Sequence, residues 1–251
     1  MAMFGRKLIA GNWKMNGVTA SLAEARAVAA ALERQPCPNR VAICPPATLI
    51  NPMVQALEGS DVLVGGQNCY TEPAGAFTGE ISAEMLADAG ARMVILAHSE
   101  RRQLFGETDE SAAAKVRAAL RVGLEPIVCV GETLEERKAG LTLEVVGRQV
   151  RGSCPPELEG CAFSVAYEPV WAIGTGLTPT LDEIEEVHVA IRGLLSETLG
   201  DAGEAAPILY GGSVKPSNAT EIMAVAEVGG ALVGGASLKA EDFLAIIRAA
   251  D

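Results

Sequence analysis

The chain has 251 residues, of which 49% are hydrophobic and 21% charged, and a net charge of −12. That length buries a large core and suits one α/β barrel or two small domains. The acidic balance argues against nucleic acid and anionic membranes as partners, and any site for an anion must be local, built from backbone N–H groups, helix ends and a lysine.

Short apolar runs alternate with helical patterns along the whole chain. The predicted strands are Lys7–Gly11, Val41–Cys44, Val62–Gly65, Met93–Ala97, Pro126–Val130, Ala162–Tyr167, Ile208–Tyr210 and Ala231–Val233. Their hydrophobicity is continuous, which predicts burial on both faces in a parallel sheet under helices. In the first helix Leu22, Ala25, Val28, Ala29 and Leu32 share a face, and Ser21 with Glu24 has the spacing of a capping box, with Thr19 as another entry point. The helix after the sixth strand carries Leu181, Ile184, Val187, Ile191, Leu194 and Leu195 on one side, and opens on a second capping pair, Thr180 and Glu183.

Eight strand–helix units without a linker predict an α/β chain forming one (β/α)8 barrel domain over residues 1–251. A doubly wound sheet is the competing architecture, but no G-x-G-x-x-G turn follows the first strand. Every apolar run is too short to cross a membrane. The first ten residues have no secretory pattern. The six cysteines, Cys37, Cys44, Cys69, Cys129, Cys154 and Cys161, include no C-x-x-C pair. Free thiols in a reducing cytoplasm are expected. With His98 and His188 as the histidines, neither a metal nor a cofactor is expected.

Barrel chemistry gathers at the C-terminal strand ends. There the chain has Asn12-Trp13-Lys14, Gln67-Asn68, His98-Ser99-Glu100-Arg101-Arg102, Cys129-Val130-Gly131-Glu132, Glu168, Gly211-Gly212-Ser213 and Gly234-Gly235-Ala236. Glu168 closes an apolar strand, and Pro169 forces an extended exit before a segment hinged by Gly174 and Gly176. A carboxylate fixed there suits a general base under a lid. His188 lies mid-helix and receives no role.

Asn12-Trp13-Lys14-Met15-Asn16, His98 to Arg102, Tyr167 to Gly176, Tyr210 to Val214 and Gly234 to Leu238 together resemble the motifs of triosephosphate isomerases, in that family's order and over nearly the whole chain. The resemblance implies a TIM barrel that interconverts dihydroxyacetone phosphate and glyceraldehyde 3-phosphate through an enediol(ate), in glycolysis and gluconeogenesis. It implies Glu168 as base and His98 as the electrophile, kept neutral by the helical turn after it; pKa tuning in this family is a standard worked case. Glu168 and His98 are then expected on opposite sides of the sugar, with room for three carbons between them. Lys14 supplies a positive charge and Asn12 a hydrogen bond. Gly212, Ser213, Gly234, Gly235 and the lid residue Gly174 hold the phosphate. Glu100 and Cys129 support the site from behind. The loop with Thr78 is expected to reach a second copy in a homodimer.

Two positions depart from the family pattern. Ala97 stands where glycine is usual, which implies that no positive φ is needed there. Leu177 replaces a common lysine, with little catalytic effect expected. A metal-dependent epimerase lacks its His/Asp ligands here, an Amadori-type isomerase lacks its paired aspartates, and a non-catalytic phosphate binder would not need both Glu168 and His98.

Overall fold

A computed structural model describes residues 6–173 and 177–251. Eight strands run β1 (Leu8–Asn12), β2 (Arg40–Cys44), β3 (Leu63–Gly66), β4 (Met93–Leu96), β5 (Glu125–Val130), β6 (Ser164–Tyr167), β7 (Ile208–Tyr210) and β8 (Gly230–Val233). Each pairs in parallel with the next, and β8 pairs with β1, so the sheet closes into a barrel. Each predicted strand is present, with ends shifted by at most two residues.

Among the described residues the helices are α1 (Leu22–Arg34), α2 (Ile50–Ala56), α3 (Ala83–Asp88), α4 (Ser99–Phe105), α5 (Asp109–Arg121), α6 (Leu134–Lys138), α7 (Thr142–Ser153), α8 (Leu181–Ala205), α9 (Ala219–Met223) and α10 (Ala240–Arg248). None is long and apolar enough to cross a membrane.

The buried residues fall into two groups, set by the two-residue period of a strand. Leu8, Ala10, Cys44, Met93, Ile95, Ile127, Cys129, Ala166, Leu209 and Leu232 belong to a cluster that fills the barrel. Their neighbours, such as Ile9, Val94, Val128 and Val165, pack in a second cluster with Val28, Val116, Val150 and Ile191 of the helices. Burial on both sides is why the strand runs read as continuously apolar.

The Thr180–Glu183 capping box forms: Glu183 N–H donates to Thr180 Oγ1 at 3.2 Å, and Thr180 N–H to Glu183 Oε2 at 2.7 Å. The Ser21–Glu24 box does not. Ser21 Oγ accepts from Val18 N–H at 3.1 Å, in a 3₁₀ turn over Thr19–Ser21. Glu24 instead reaches α10, accepting from Ala240 N–H at 2.8 Å and from Lys239 Nζ at 2.9 Å. A partner more than 200 residues away takes the carboxylate that spacing assigned to its own helix.

His188 is wholly buried on α8, edge-on to Tyr167, with Nδ1 3.2 Å from the Glu227 carbonyl. Burial lowers its pKa from 6.5 to about 4. Between those values the unfolded chain binds the extra proton and the folded one does not, so stability is complete above pH 6.5 and falls as pH drops towards 4. The full effect is roughly 3 kcal/mol. Urea unfolding between about pH 7.5 and about pH 5 is expected to cost the parent about 2 kcal/mol more than His188→Gln. Equal losses would show that this ring does not set the acid limb.

Candidate active site

The strand period explains one half of the site directly. Ala166 points into the barrel, so Glu168, two residues on, arrives at the mouth from the same face of β6. For β4 the parity is wrong: Met93 and Ile95 point inward, so alternation would aim residue 97 inward and His98 outward. Ala97 breaks the alternation with a left-handed φ of +56°. His98 then lines the mouth and starts α4 as its N-cap, its Nδ1 accepting from Glu100 N–H at 3.2 Å. The expectation that Ala97 needs no positive φ is therefore corrected. The left-handed region is what aims the imidazole, and a methyl group stands in it.

Glu168 and His98 come together in direct contact, with His98 Nε2 2.9 Å from Glu168 Oε1. Ser99 completes the grip: its N–H donates to Oε2 and its hydroxyl to Oε1, both at 2.9 Å. The gap expected between the two groups is thus absent in this arrangement, and Glu168 faces a small side cavity of about 120 Å³ with Ser99, Arg102 and Gln149. Burial pushes the Glu168 carboxyl up, but His98 and Ser99 outweigh it and hold the group below its usual range. For His98, burial pulls the pKa down, but the adjacent Glu168 carboxylate outweighs it and leaves the pKa above 6.5. The carboxylate thus works against the helical turn, whose Glu100 N–H donates to Nδ1 and leaves the ring proton on Nε2, facing Glu168. Behind the pair, Cys129 is wholly buried, and burial followed by the Glu168 carboxylate drives its thiol pKa well up.

A cavity of about 350 Å³ opens beside His98, lined by Asn12, Lys14, Gly212, Ser213, Gly234 and Gly235. Lys14 Nζ sits 2.5 Å from Glu100 Oε1. Its backbone is also left-handed, φ +52°, held by Asn12 Oδ1, which accepts from Lys14 N–H at 2.9 Å. Gln67 Nε2 donates to the carbonyls of Lys14 and Cys44, at 2.8 and 2.9 Å. A Cβ at Gly212 would collide with the Tyr210 hydroxyl, so glycine is required under this floor. Gly174 and Gly176 lie outside the described residues. Thr78 lies elsewhere, on an exposed arm whose neck is closed by Tyr70 N–H donating to Ile81 O at 2.8 Å. Among the described residues no group of three His, Cys, Asp or Glu side chains is arranged to hold a metal ion.

A family model described as triosephosphate isomerase matches residues 7–250. The chain belongs to the triosephosphate isomerase family. It is 62% identical to the triosephosphate isomerase of Caulobacter vibrioides, over 97% of this chain and 96% of that one. To the protein of that name from Afipia carboxidovorans it is 58% identical, over 97% of each chain. The crystal structure of triosephosphate isomerase from Bartonella henselae superposes with a TM-score of 0.90 at 48% identity, covering 97% of this chain and 98% of that one.

Against the family pattern, three residues here had no role assigned from sequence. Ser99 was visible as a strand-end hydroxyl, but its bond to Glu168 joins β4 to β6. Gln67 was visible as a polar residue after Gly65-Gly66, but its targets are carbonyls of other loops. Lys215 lines the cavity rim beyond the Gly-Gly-Ser motif.

Ala97 tests the backbone argument. Replacing it with glycine relieves about 1–2 kcal/mol of left-handed strain. It removes a buried methyl worth about 0.8 kcal/mol and adds about 0.5–1 kcal/mol of unfolded-state entropy. The terms nearly cancel, so Ala97→Gly should melt within about 3 °C of the parent by calorimetry. A drop of about 10 °C would mean that position 97 is not strained.

Proposed function

We propose that this chain works as one barrel domain that interconverts dihydroxyacetone phosphate and D-glyceraldehyde 3-phosphate, with Glu168 as base and His98 as the N–H donor to the carbonyl oxygen. Membership of the family over residues 7–250 carries the reaction; the contact between Glu168 and His98 beside a cavity of about 350 Å³ supports the roles.

The resting carboxylate is occupied by Ser99 and His98 and faces away from the cavity. Catalysis therefore starts with its rotation. Gly211 gives it clearance, since a Cβ there would stand 2.9 Å from Glu168 Cγ. Rotation has two electrostatic effects. Glu168 leaves the donors that hold its pKa down and keeps the burial that raises it, so it becomes a stronger base as it reaches the substrate carbon. His98 loses the carboxylate that raised its pKa most, leaving burial and Lys14, which lower it, against Glu100, which raises it less. A neutral ring with Nδ1 occupied by the Glu100 N–H then offers its Nε2 proton to the oxygen where charge develops.

The substrate is a phosphorylated anion and the protein carries −12. Attraction is therefore local: Lys14 gives one cation, and backbone N–H groups of Gly212, Ser213, Gly234 and Gly235 meet the phosphate. Asn12 holds Lys14 in place and hydrogen-bonds the substrate, while Glu100 orients the Lys14 ammonium. Gly174 is assigned to the same phosphate by the family resemblance alone, and Cys129 shapes the wall behind Glu168.

A coupled assay for triose phosphate interconversion with a chelator present should show turnover. Inactive, folded protein would overturn the reading. Glu168→Asp, which retracts the carboxylate by about 1 Å, should lower kcat by roughly 10²-fold; an unchanged kcat would hand the proton to another group.

We also infer a cytoplasmic homodimer. The self-closed arm carrying Thr78, with Met15 96% exposed and Phe77 39% exposed, supports a surface that a second copy covers. Sedimentation should give twice the chain mass for the parent, and monomers for Thr78→Arg. A monomeric, fully active parent would contradict this.

A further inference from the structure

We propose that Arg102 is a positioning residue for His98, acting by holding the Ala97 peptide in its left-handed turn. The proposal rests on His98 being the electrophile. Arg102 lies on α4, five residues past Ala97, whose turn it controls. Its Nε donates to the Ala97 carbonyl at 3.0 Å, and its Nη2 to the Cys129 carbonyl at 3.2 Å. The ladder between β4 and β5 ends at Leu96↔Val128. Ala97 and Cys129 are the next residues on each strand, so the guanidinium takes over where strand pairing stops.

The guanidinium is itself fixed on its far side. Nη1 donates to Asp109 Oδ1 at 2.6 Å and Nη2 to Ser153 Oγ at 2.9 Å, while Ser153 Oγ donates to Asp109 Oδ1 at 3.1 Å. Ser153 is wholly buried, and the Arg102 side chain is 15% exposed. A planar fork meets four acceptors on α5, α7 and two strand ends; the point charge of lysine cannot meet all of them. Arg102 lines the small cavity behind Glu168 and not the cavity beside His98, so it acts through the backbone rather than on substrate.

The parity argument says what that hold is for. His98 faces the mouth only while Ala97 stays left-handed. With alanine there, the turn tends to relax towards negative φ, which would swing the imidazole away. Glycine has no such tendency. Arg102 should therefore matter more to turnover with alanine at this position than with glycine.

The test is a double-mutant cycle on kcat and KM, with Arg102→Lys made in the parent and in the Ala97→Gly protein. In the parent, kcat should fall about 10-fold with KM changed less than about 3-fold, as for a misplaced catalytic group. In the Ala97→Gly protein the loss should shrink to less than about 3-fold. Equal losses in both backgrounds, or a lower Tm with kcat unchanged, would overturn the proposal. If Arg102→Lys does not fold, Asp109→Asn replaces it; it frees one side of the guanidinium and should lower kcat about 3-fold, again only with alanine at the turn. His98→Gln keeps the two readings apart. If that variant turns over like the parent, the electrophile assignment fails; if it is slow while the Arg102 losses are equal, only the role of Arg102 fails.

Discussion

The contact of Glu168 with His98 and Ser99 is the interaction on which the site depends. It joins the ends of β4 and β6, two strands apart in the barrel, and consumes both carboxylate oxygens with three donors. A fully buried carboxylate without such partners would take up a proton rather than stay charged. These contacts thus keep the carboxylate ionised in a place where burial alone would neutralise it. In the proposed reaction the same donors keep it weak until it rotates, so its position and its strength change together.

Around that contact the rim is fixed by backbone groups more than by side chains meeting one another. Gln67 ties the Lys14 and Cys44 carbonyls, Asn12 holds the Lys14 N–H, and Gln149 brackets Gly131, accepting from its N–H at 2.6 Å and donating to its carbonyl at 3.0 Å. Two residues in that rim, Lys14 and Ala97, stay left-handed without being glycine. Strain of this kind persists only where surrounding bonds over-determine the backbone. Here they do so on either side of the His98 imidazole.

The barrel was legible in the sequence because its strands are buried on both faces and its polar residues cluster at one end of every unit. Thr180 and Glu183 were legible because both partners lie within one helical turn. Ser21 and Glu24 have the same spacing, yet Glu24 caps α10, a partner that local pattern cannot show. Ala97 misled for a related reason: residue type reports preference, while φ is decided by what the next side chain must face. His98 and Glu168 could be named from their motifs. Their direct contact could not, because it depends on a rotamer and on Ser99 lying across the mouth.

The seam of the barrel has a consequence for synthesis. Leu8 to Gly11 pair with Gly230 to Val233, and Glu24 reaches Lys239 and Ala240, so the first and last parts of the chain are neighbours in space. Asn12 and Lys14 stand on one bank of that seam and Gly234 and Gly235 on the other. A nascent chain with seven strands made already carries Glu168, His98, Gly212 and Ser213, but lacks Gly234 and Gly235, so the cavity beside His98 has one wall open. The wall that closes that cavity is therefore made after the rest of its lining.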